Sequence, residues 1–418
     1  MCVYIYLHIK IAGRLKLIFY EVFKKMEWDV LVVGGGPAGC FAAEHIAKHG
    51  FKVLVLEENS VIGEPVQCAG LVSHRTIELT GCQKLILNSL KGANVYSPNG
   101  KSMKLAGSRS YAFAIDRALL DQELALRAQK SGVEVLLSAR VTNLKRHGKG
   151  IVVEFRRGGS TLTAATKLLI GADGANSLVA RWASLYQPRE KIKMFAAEVK
   201  LQNPFPEMVD IFLGSHIAPG WFGWIIPIDK KRARIGTGSS FINISGRKSV
   251  KKFLNVYSKR FYGMEIIRET GGLVPIGTIQ NHASNVMLVG DAACQTKPIS
   301  GGGLYPGLMG AIICSQVAVK ALMAENFSRE FLSGYQLQWN QKMHSELEKA
   351  LNYREMFVNL SDFQLSLLIK ILNTNYWRSL ISEYMDIDYP SIVAEKLFEK
   401  YSFLFFSSKK VKKLETKG

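Results

Sequence analysis

The stretch WDVLVVGGGPAGCFAAEHIAKHGFKVLVLEE, residues 28–58, constrains the fold more than any other part of the chain. Val30–Val33 form an unbroken apolar run, suited to a parallel strand buried on both faces. Gly34, Gly36 and Gly39 then give G-x-G-x-x-G. The first glycine allows a sharp turn, the second lets a pyrophosphate approach the backbone, and the third lets the following helix pack close to the sheet. The helix N-terminus adds free N–H groups and a dipole that favours phosphate. Glu57 closes VLVLE at the distance expected of a ribose acceptor. Strand, turn, helix, strand and acid together specify a dinucleotide site in an α/β fold, without separating NAD from FAD.

Two later stretches make that separation. KLLIGADGANSLVAR (167–181) leads an apolar strand into Gly171, Asp173 and Gly174, with a helix starting near Ser177. NVMLVGDAACQTKPISGGGLYPGLMGA (285–311) ends a strand at Gly290-Asp291 and opens a second helix after a triple glycine, near Gly303. An acid at such a strand end is placed for ribityl hydroxyls, and helix N–H groups near Gly303 for a flavin ring that gathers negative charge on reduction. Singly, each reads as an ordinary Gly/Asp turn. In this order behind the first motif they point to FAD.

Bulk properties set the limits. The 418 residues, 48% of them apolar, suffice for more than one domain. A formal charge of +20 favours anionic partners or equally marks only a basic solvated face, and charge alone does not choose between them. The basic residues form no stripe interleaved with stacking aromatics, so no nucleic-acid partner is expected. Six cysteines without CxxC spacing argue against a disulfide framework or zinc site and fit a reducing cytoplasmic compartment. His45 and His49 stand at i, i+4 on the first helix with no third ligand nearby, so no metal is expected. Residues 1–25 are apolar but interrupted by Lys10, Arg14, Lys16 and Lys24, and read as an extension or upstream-start artefact before Met26.

The chain resembles the FAD-dependent geranylgeranyl reductase family, in particular its archaeal branch acting on digeranylgeranylglycerophospholipids. The resemblance is carried by GGGPAG (34–39), PVQCAGLVS (65–73), AIDRALLD (114–121), GADGANS (171–177), PGWFGWIIP (219–227) and GDAACQTKPISGGGLYPG (290–307). It implies a Rossmann-like FAD-binding domain of para-hydroxybenzoate hydroxylase type. Interleaved with it would be an antiparallel-sheet substrate domain, followed by a helical C-terminal region. The expected division assigns 26–75, 104–180 and 265–330 to the FAD part, 76–103 and 181–264 to the substrate part, and 331–418 to the helical region. The resemblance places FAD contacts at Ala38, Glu57, Cys68, Ala69, Gly70, Arg117, Val141, Asp291, Gly303 and Leu304, beside the motif residues Gly34, Gly36 and Gly39. Arg117 would bridge to the diphosphate, and Val141 would end a strand beside the adenine.

The family's aromatic motif, P-x-x-Y-x-W-x-F-P, reads here Pro219, Phe222, Trp224, Ile226, Pro227, with Phe for Tyr and Ile for Phe. Loss of the hydroxyl leaves Trp221, Phe222, Trp224 and Pro227 as an apolar wall of the substrate pocket. The implied activity is saturation of isolated double bonds in geranylgeranyl chains of an ether-lipid precursor, with hydride from N5 of the reduced flavin. Cys68, between Pro65 and Gly70, is expected beside the flavin and is the candidate catalytic residue. Other readings of the same fold are an FAD monooxygenase of a hydrophobic substrate and a non-catalytic prenyl-binding protein. With no second G-x-G-x-x-G, the electron donor is ferredoxin, a reduced flavin or NAD(P)H. The basic tail SSKKVKKLETKG (407–418) reads as solvated, with peripheral contact at the cytoplasmic membrane face as the second reading.

Overall fold

The computed structural model describes residues 27–401, apart from 108, 186–187, 202–205 and 241–263. The expected extension 1–25, the basic tail and part of the 181–264 segment therefore lie outside the described residues.

The apolar run becomes β1 (Glu27–Val33), a central strand whose Val30, Leu31 and Val32 are wholly buried. It runs parallel to β2 (Val53–Leu56) on one side and to β11 (Ser160–Gly171) on the other. Between β1 and β2 the chain makes α1 (Pro37–Ala47). Small residues on α1 let it lie close to the sheet and to a second, longer helix introduced below.

Three further strands complete the first part of the chain: β3 (Leu71–Val72), β4 (Ile86–Leu90) and β5 (Gly92–Tyr96), with α2 (His74–Thr80) after β3. Then come β6 (Ser102–Ala106), β7 (Ala112–Ile115), α3 (Arg117–Lys130), β8 (Glu134–Leu136), β9 (Arg140–His147) and β10 (Gly150–Arg157). After β11, a short α4 (Leu178–Trp182) leads into β12 (Glu190–Lys200), β13 (Met208–Phe212), β14 (Gly223–Pro227), β15 (Arg232–Ser239) and β16 (Glu265–Ile276). The hairpin β17 (His282–Ala283) and β18 (Val286–Leu288) returns the chain to the first sheet.

The sheets separate by role. The eight-stranded sheet has order β17-β18-β11-β1-β2-β8, with β10 and β9 branching from β11. The seven-stranded sheet has order β16-β12-β15-β14-β13-β5-β6, antiparallel except for the parallel pair β5–β13. A three-stranded sheet, β3-β7-β4, lies between them in the chain order.

Helix α5 (Leu304–Met323) packs on α1 and carries 20 residues that are long and apolar enough to cross a membrane by length and composition. Its most apolar window is 72% buried inside the molecule, which makes it a core helix. Beyond it the expected helical region is present: α6 (Arg329–Trp339), a π-helical turn at Asn340–His344, α7 (Ser345–Val358), α8 (Asp362–Leu372), α9 (Asn375–Tyr384) and α10 (Ser391–Tyr401).

Strand membership departs from the expected segments at three places. β16, grouped with the FAD part, is the edge strand of the seven-stranded sheet, where it pairs along β12. Its exposed first half and its Gly271-Gly272 hide the alternation that would have marked it. β6 straddles the boundary expected at 104 and pairs with β5. Helix α2 and β4, grouped with the substrate part, belong instead with α5 and the three-stranded sheet.

Candidate functional site

The three glycine motifs converge on one place. Gly34 turns with φ +104° and lies so close to Ala172 that a Cβ would sit 2.3 Å from its carbonyl oxygen. A Cβ on Gly39 would meet the Gly34 carbonyl at the same 2.3 Å, so the helix can approach the turn only with glycine there. Gly36 differs: nothing lies within 4 Å of a Cβ built on it. This open face lies at the N-cap of α1, where unpaired N–H groups gather. Ala38 lies 3.1 Å from the Cβ position of Gly290, which brings the first turn of α1 against the GDAAC segment. Gly303, the N-cap of α5, lies beside the Asp291 carboxylate, whose Oδ1 would be 3.0 Å from a Cβ there.

The two motif acids behave differently. Asp173 accepts hydrogen bonds from Ser177 Oγ at 2.6 Å, Leu178 N at 2.6 Å and Val179 N at 3.1 Å. It serves the start of α4. Asp291 has no hydrogen-bond donor among the described residues. Burial pushes its carboxyl up to about 6, with the Arg117 charge pulling the other way. It is the acid left free for a ligand.

Glu57 follows β2 directly and is buried. Its Oε2 accepts from Gly35 N at 2.7 Å, and its Oε1 from Asn59 N and Nδ2 at 2.8 Å each. The carboxylate thus ties the phosphate turn to the end of β2 and keeps spare lone pairs. Ala139 N donates to the Glu57 carbonyl at 2.7 Å, which carries the chain past Glu57 toward Val141. Val141 is the second residue of β9 rather than the end of a strand, and its side chain is half-buried against the neighbouring core.

Arg117 opens α3 but is already engaged. Its Nη2 lies 2.9 Å from Asp121, one turn along the helix. Burial works against the charge on Arg117, but Asp121 and the Cys68 side chain outweigh it and raise its pKa. Burial raises the Asp121 carboxyl despite that pairing. Cys68 Sγ accepts from Gly70 N at 3.3 Å and lies within hydrogen-bonding reach of the Arg117 guanidinium.

Beneath this loop is Arg234 of β15, a residue that no motif marks. It is 6% exposed, and its Nη1 donates to Ala69 O at 3.0 Å and to Ile115 O at 2.9 Å. The only sequence trace of it is an arginine at an inward position of RARIGTGS.

The aromatic residues form a wall in the core cluster against which Ala69 also packs. Trp221 and Phe222 stack with ring centroids 5.1 Å apart, and Phe222 meets Trp224 edge-on at 6.0 Å. The Trp224 ring covers Gly236 and the Trp221 ring covers Gly238, positions where any Cβ would collide at 2.3 and 2.4 Å. Trp221 also reaches Gly301 in the triple-glycine loop, 3.1 Å from its Cβ position. Arg354 of α7 stands 4.6 Å over the Trp221 ring and is held by Glu190 at 2.9 to 3.0 Å. Pro227 closes β14, and its carbonyl accepts from Asn88 Nδ2 at 3.0 Å.

Strand β16 joins the loops on either side of the site. Thr270 donates to the Val66 carbonyl beside Cys68, and Thr296 donates to the Pro275 carbonyl. A second anchor comes from the C-terminal region. Lys297, nearly buried, donates to Ile387 O at 2.7 Å and to the buried Asp388 at 3.0 Å. Arg75 of α2 forks onto Asp386 at 2.9 and 3.0 Å and stands 4.9 Å over the Tyr389 ring. Tyr389 in turn meets Tyr305 at 3.2 Å in the first turn of α5. Residues 386–389 therefore fasten the triple-glycine loop to the start of α2. Sequence reasoning missed this because the partners lie about 90 and 311 residues apart.

The site fits a polar dinucleotide facing an apolar wall. Arg117 Nε, Arg234 Nε and the indole nitrogens of Trp221 and Trp224 are buried and lack a hydrogen-bond partner among the described residues, and all four surround this place. Such a concentration marks a site rather than a finished core. A separate recess of about 750 Å³, lined by Gln280, His282, Arg329 and Trp339 among others, shares only Ala293 and Cys294 with the GDAAC segment.

Comparison with known proteins agrees with this geometry. Residues 29–392 match the family model described as lycopene cyclase protein. A digeranylgeranylglycerophospholipid reductase of Methanocaldococcus jannaschii is 30% identical over 82% of this chain and 90% of its own length. An uncharacterized protein of the same organism is 31% identical over 89% of this chain and 95% of its own. The crystal structure of a geranylgeranyl bacteriochlorophyll reductase-like protein from Thermoplasma acidophilum superposes with a TM-score of 0.83 and 26% identity, covering 94% of this chain and 99% of that one. The converging glycine turns, the free acid at Asp291, the aromatic wall and these relatives lead to one conclusion: the chain belongs to the geranylgeranyl reductase family of FAD-dependent oxidoreductases.

Proposed function

We propose that this chain saturates isolated double bonds in geranylgeranyl chains of an anionic ether-lipid precursor, a digeranylgeranylglyceryl phospholipid. The single observation that carries the reading is the placement of an apolar aromatic plate, Trp221 on Gly238, against the glycine loop at the N-terminus of α5. An alkene without an adjacent carbonyl needs close alignment with the donor and a dry pocket, and an apolar wall beside the flavin loop would serve both. When bound, reduced FAD supplies the hydride.

The chain's own groups share the remaining tasks. The open face of Gly36 and the first turn at Ala38 receive the diphosphate, with Gly34 and Gly39 shaping the turn. Glu57 takes the ribose, and the chain leading to Val141 borders the adenine. Asp291 accepts from the ribityl hydroxyls. N–H groups at Gly303 and Leu304 face the ring, and Cys68, Ala69 and Gly70 border it from the other loop. Arg117, fixed by Asp121, keeps positive charge near the diphosphate. Trp221, Phe222, Trp224 and Pro227 line the pocket for the isoprenoid chain.

Cys68 is the candidate proton donor. Its sulfur accepts from Gly70 N, which leaves the thiol hydrogen free to be donated elsewhere. Turnover and flavin spectrum unchanged in both Cys68→Ala and Cys68→Ser would remove it from the reaction.

Ferredoxin, a reduced flavin carrier and NAD(P)H are the donors to compare by anaerobic bleaching of the bound flavin. The protein works in the cytoplasm, at the face of the membrane where its lipid resides. The deciding experiment is mass spectrometry of digeranylgeranylglyceryl phosphate after incubation with chemically reduced holoprotein. A gain of about two mass units per saturated bond is expected, as hydride plus proton add across each alkene. Unchanged lipid beside bound, reducible FAD would overturn the reading.

A further inference from the structure

Fourteen large apolar side chains are exposed among the described residues, and five of them, Phe357, Val358, Phe363, Leu367 and Tyr376, fall within residues 357–376. Phe363, at 77%, is the most exposed of all fourteen. Phe363 and Leu367 are one turn apart on α8 and share a face. Phe357 and Val358 end α7 just before it, and Tyr376 lies in the first turn of α9 just after. The opposite face of α8 is already committed, since Leu365 and Ile369 pack with Met103, Leu105, Leu213 and Ile381.

This patch continues inward. Phe222 packs both against the α8 cluster and against the cluster that holds Trp221 and Trp224. An apolar path therefore runs from the buried face of α8, behind the exposed one, to the wall described above. Its surroundings are basic. Lys370 is exposed in the last turn of α8, and Lys101 is exposed just before β6, the edge strand that touches α8 and α9. The acid at the start of the helix, Asp362, is engaged with Ser215 at 2.8 and 3.0 Å.

We propose that the Phe363–Leu367 face of α8, with Phe357, Val358 and Tyr376, docks on the surface of an anionic lipid bilayer. Apolar side chains enter the interface while the flanking lysines meet the headgroups. A formal charge of +20 opposes a second copy as occupant and favours an anionic surface. The proposal rests on the reductase reading for its purpose, since the docked face would lie on the helix whose buried side packs toward the aromatic wall.

The test is co-sedimentation of the holoprotein with vesicles of phosphatidylglycerol and phosphatidylcholine in equal parts, and of phosphatidylcholine alone. The wild-type chain is expected to bind the anionic vesicles and to release at high salt. Phe363→Ser combined with Leu367→Ser is expected to cut binding about tenfold or more. Met323→Ser with Leu337→Ser, which alters exposed residues elsewhere, should leave binding unchanged. Flavin absorbance and reduction of detergent-dispersed lipid should be the same in all three proteins.

Absence of binding by the wild type, or equal binding by the α8 variant, overturns the proposal. So does a wild-type dimer in size-exclusion chromatography that the α8 variant converts to monomer. If the reductase reading alone is wrong, vesicle binding persists while detergent-dispersed lipid stays unreduced by every protein.

Discussion

Gly36 and Gly39 sit three residues apart in one turn, yet their substitution to alanine should fail in different ways. At Gly39 the new methyl meets a backbone carbonyl at 2.3 Å, so the fold itself must give way. At Gly36 the backbone is ordinary, φ −70°, and the methyl enters open space. Gly36→Ala should keep its melting temperature within about 2 °C and lose FAD affinity about tenfold or more, whereas Gly39→Ala should lose about 2–4 kcal/mol of stability. Calorimetry of apoprotein and fluorescence titration with FAD separate the two.

Asp291 gives a pH signature at the same scale. Its folded-state pKa stands at about 6, above the ordinary 3.8, so its contribution to apoprotein stability is full below 3.8 and is lost as pH rises through 6. Hydroxyl donors from a ligand favour the ionised form, so binding releases a proton below pH 6. FAD affinity should therefore rise about tenfold between pH 5 and 7, and Asp291→Asn should flatten that dependence. A pH-independent dissociation constant in the unmodified protein would exclude this role.

At the scale of elements, the segment 386–389 is the feature with the clearest energetic consequence. Removing the Asp388 charge leaves Lys297 charged and buried beside the triple-glycine loop. Asp388→Asn should cost about 3–5 kcal/mol in denaturant unfolding, and the double change Lys297→Met with Asp388→Leu should recover most of it. A loss below about 1 kcal/mol in the single variant would show that the pair is not a fastening.

The elements also show what could be read from the chain. β1, α1, β2 and α5 were legible because apolar runs and glycines are local signals. The edge strand β16 was not, because half of it is exposed and glycines interrupt it. Arg234, Lys297 and Asp388 were invisible for another reason. Their meaning lies in partners on other elements, and nothing within a dozen residues of any of them announces a pair. Asp173 and Asp291 both stand in Gly/Asp turns at strand ends, and the hydrogen bonds at the start of α4 show that the first is engaged by the chain itself.

At the scale of the molecule, two sheets with different jobs meet through a few side chains. The site lies where loops of the eight-stranded sheet touch β15 and β16 of the seven-stranded one, so cofactor and partition are coupled. Ligand that binds only this assembled state should stabilise both parts together. At a concentration about 100 times its dissociation constant, FAD should add about 2.7 kcal/mol, seen as one cooperative transition moving upward. Two separate transitions, only one of them shifted by FAD, would show that the sheets unfold independently.

Trp221 has one further consequence, and it is optical. Its indole touches Gly301 on one side and carries the Arg354 charge over its face. Emission from that ring should respond to whatever displaces the 300–303 loop, and a yellow chromophore at such short range should quench it strongly. The protein thus carries its own spectroscopic gauge of loop position, readable in solution without a label.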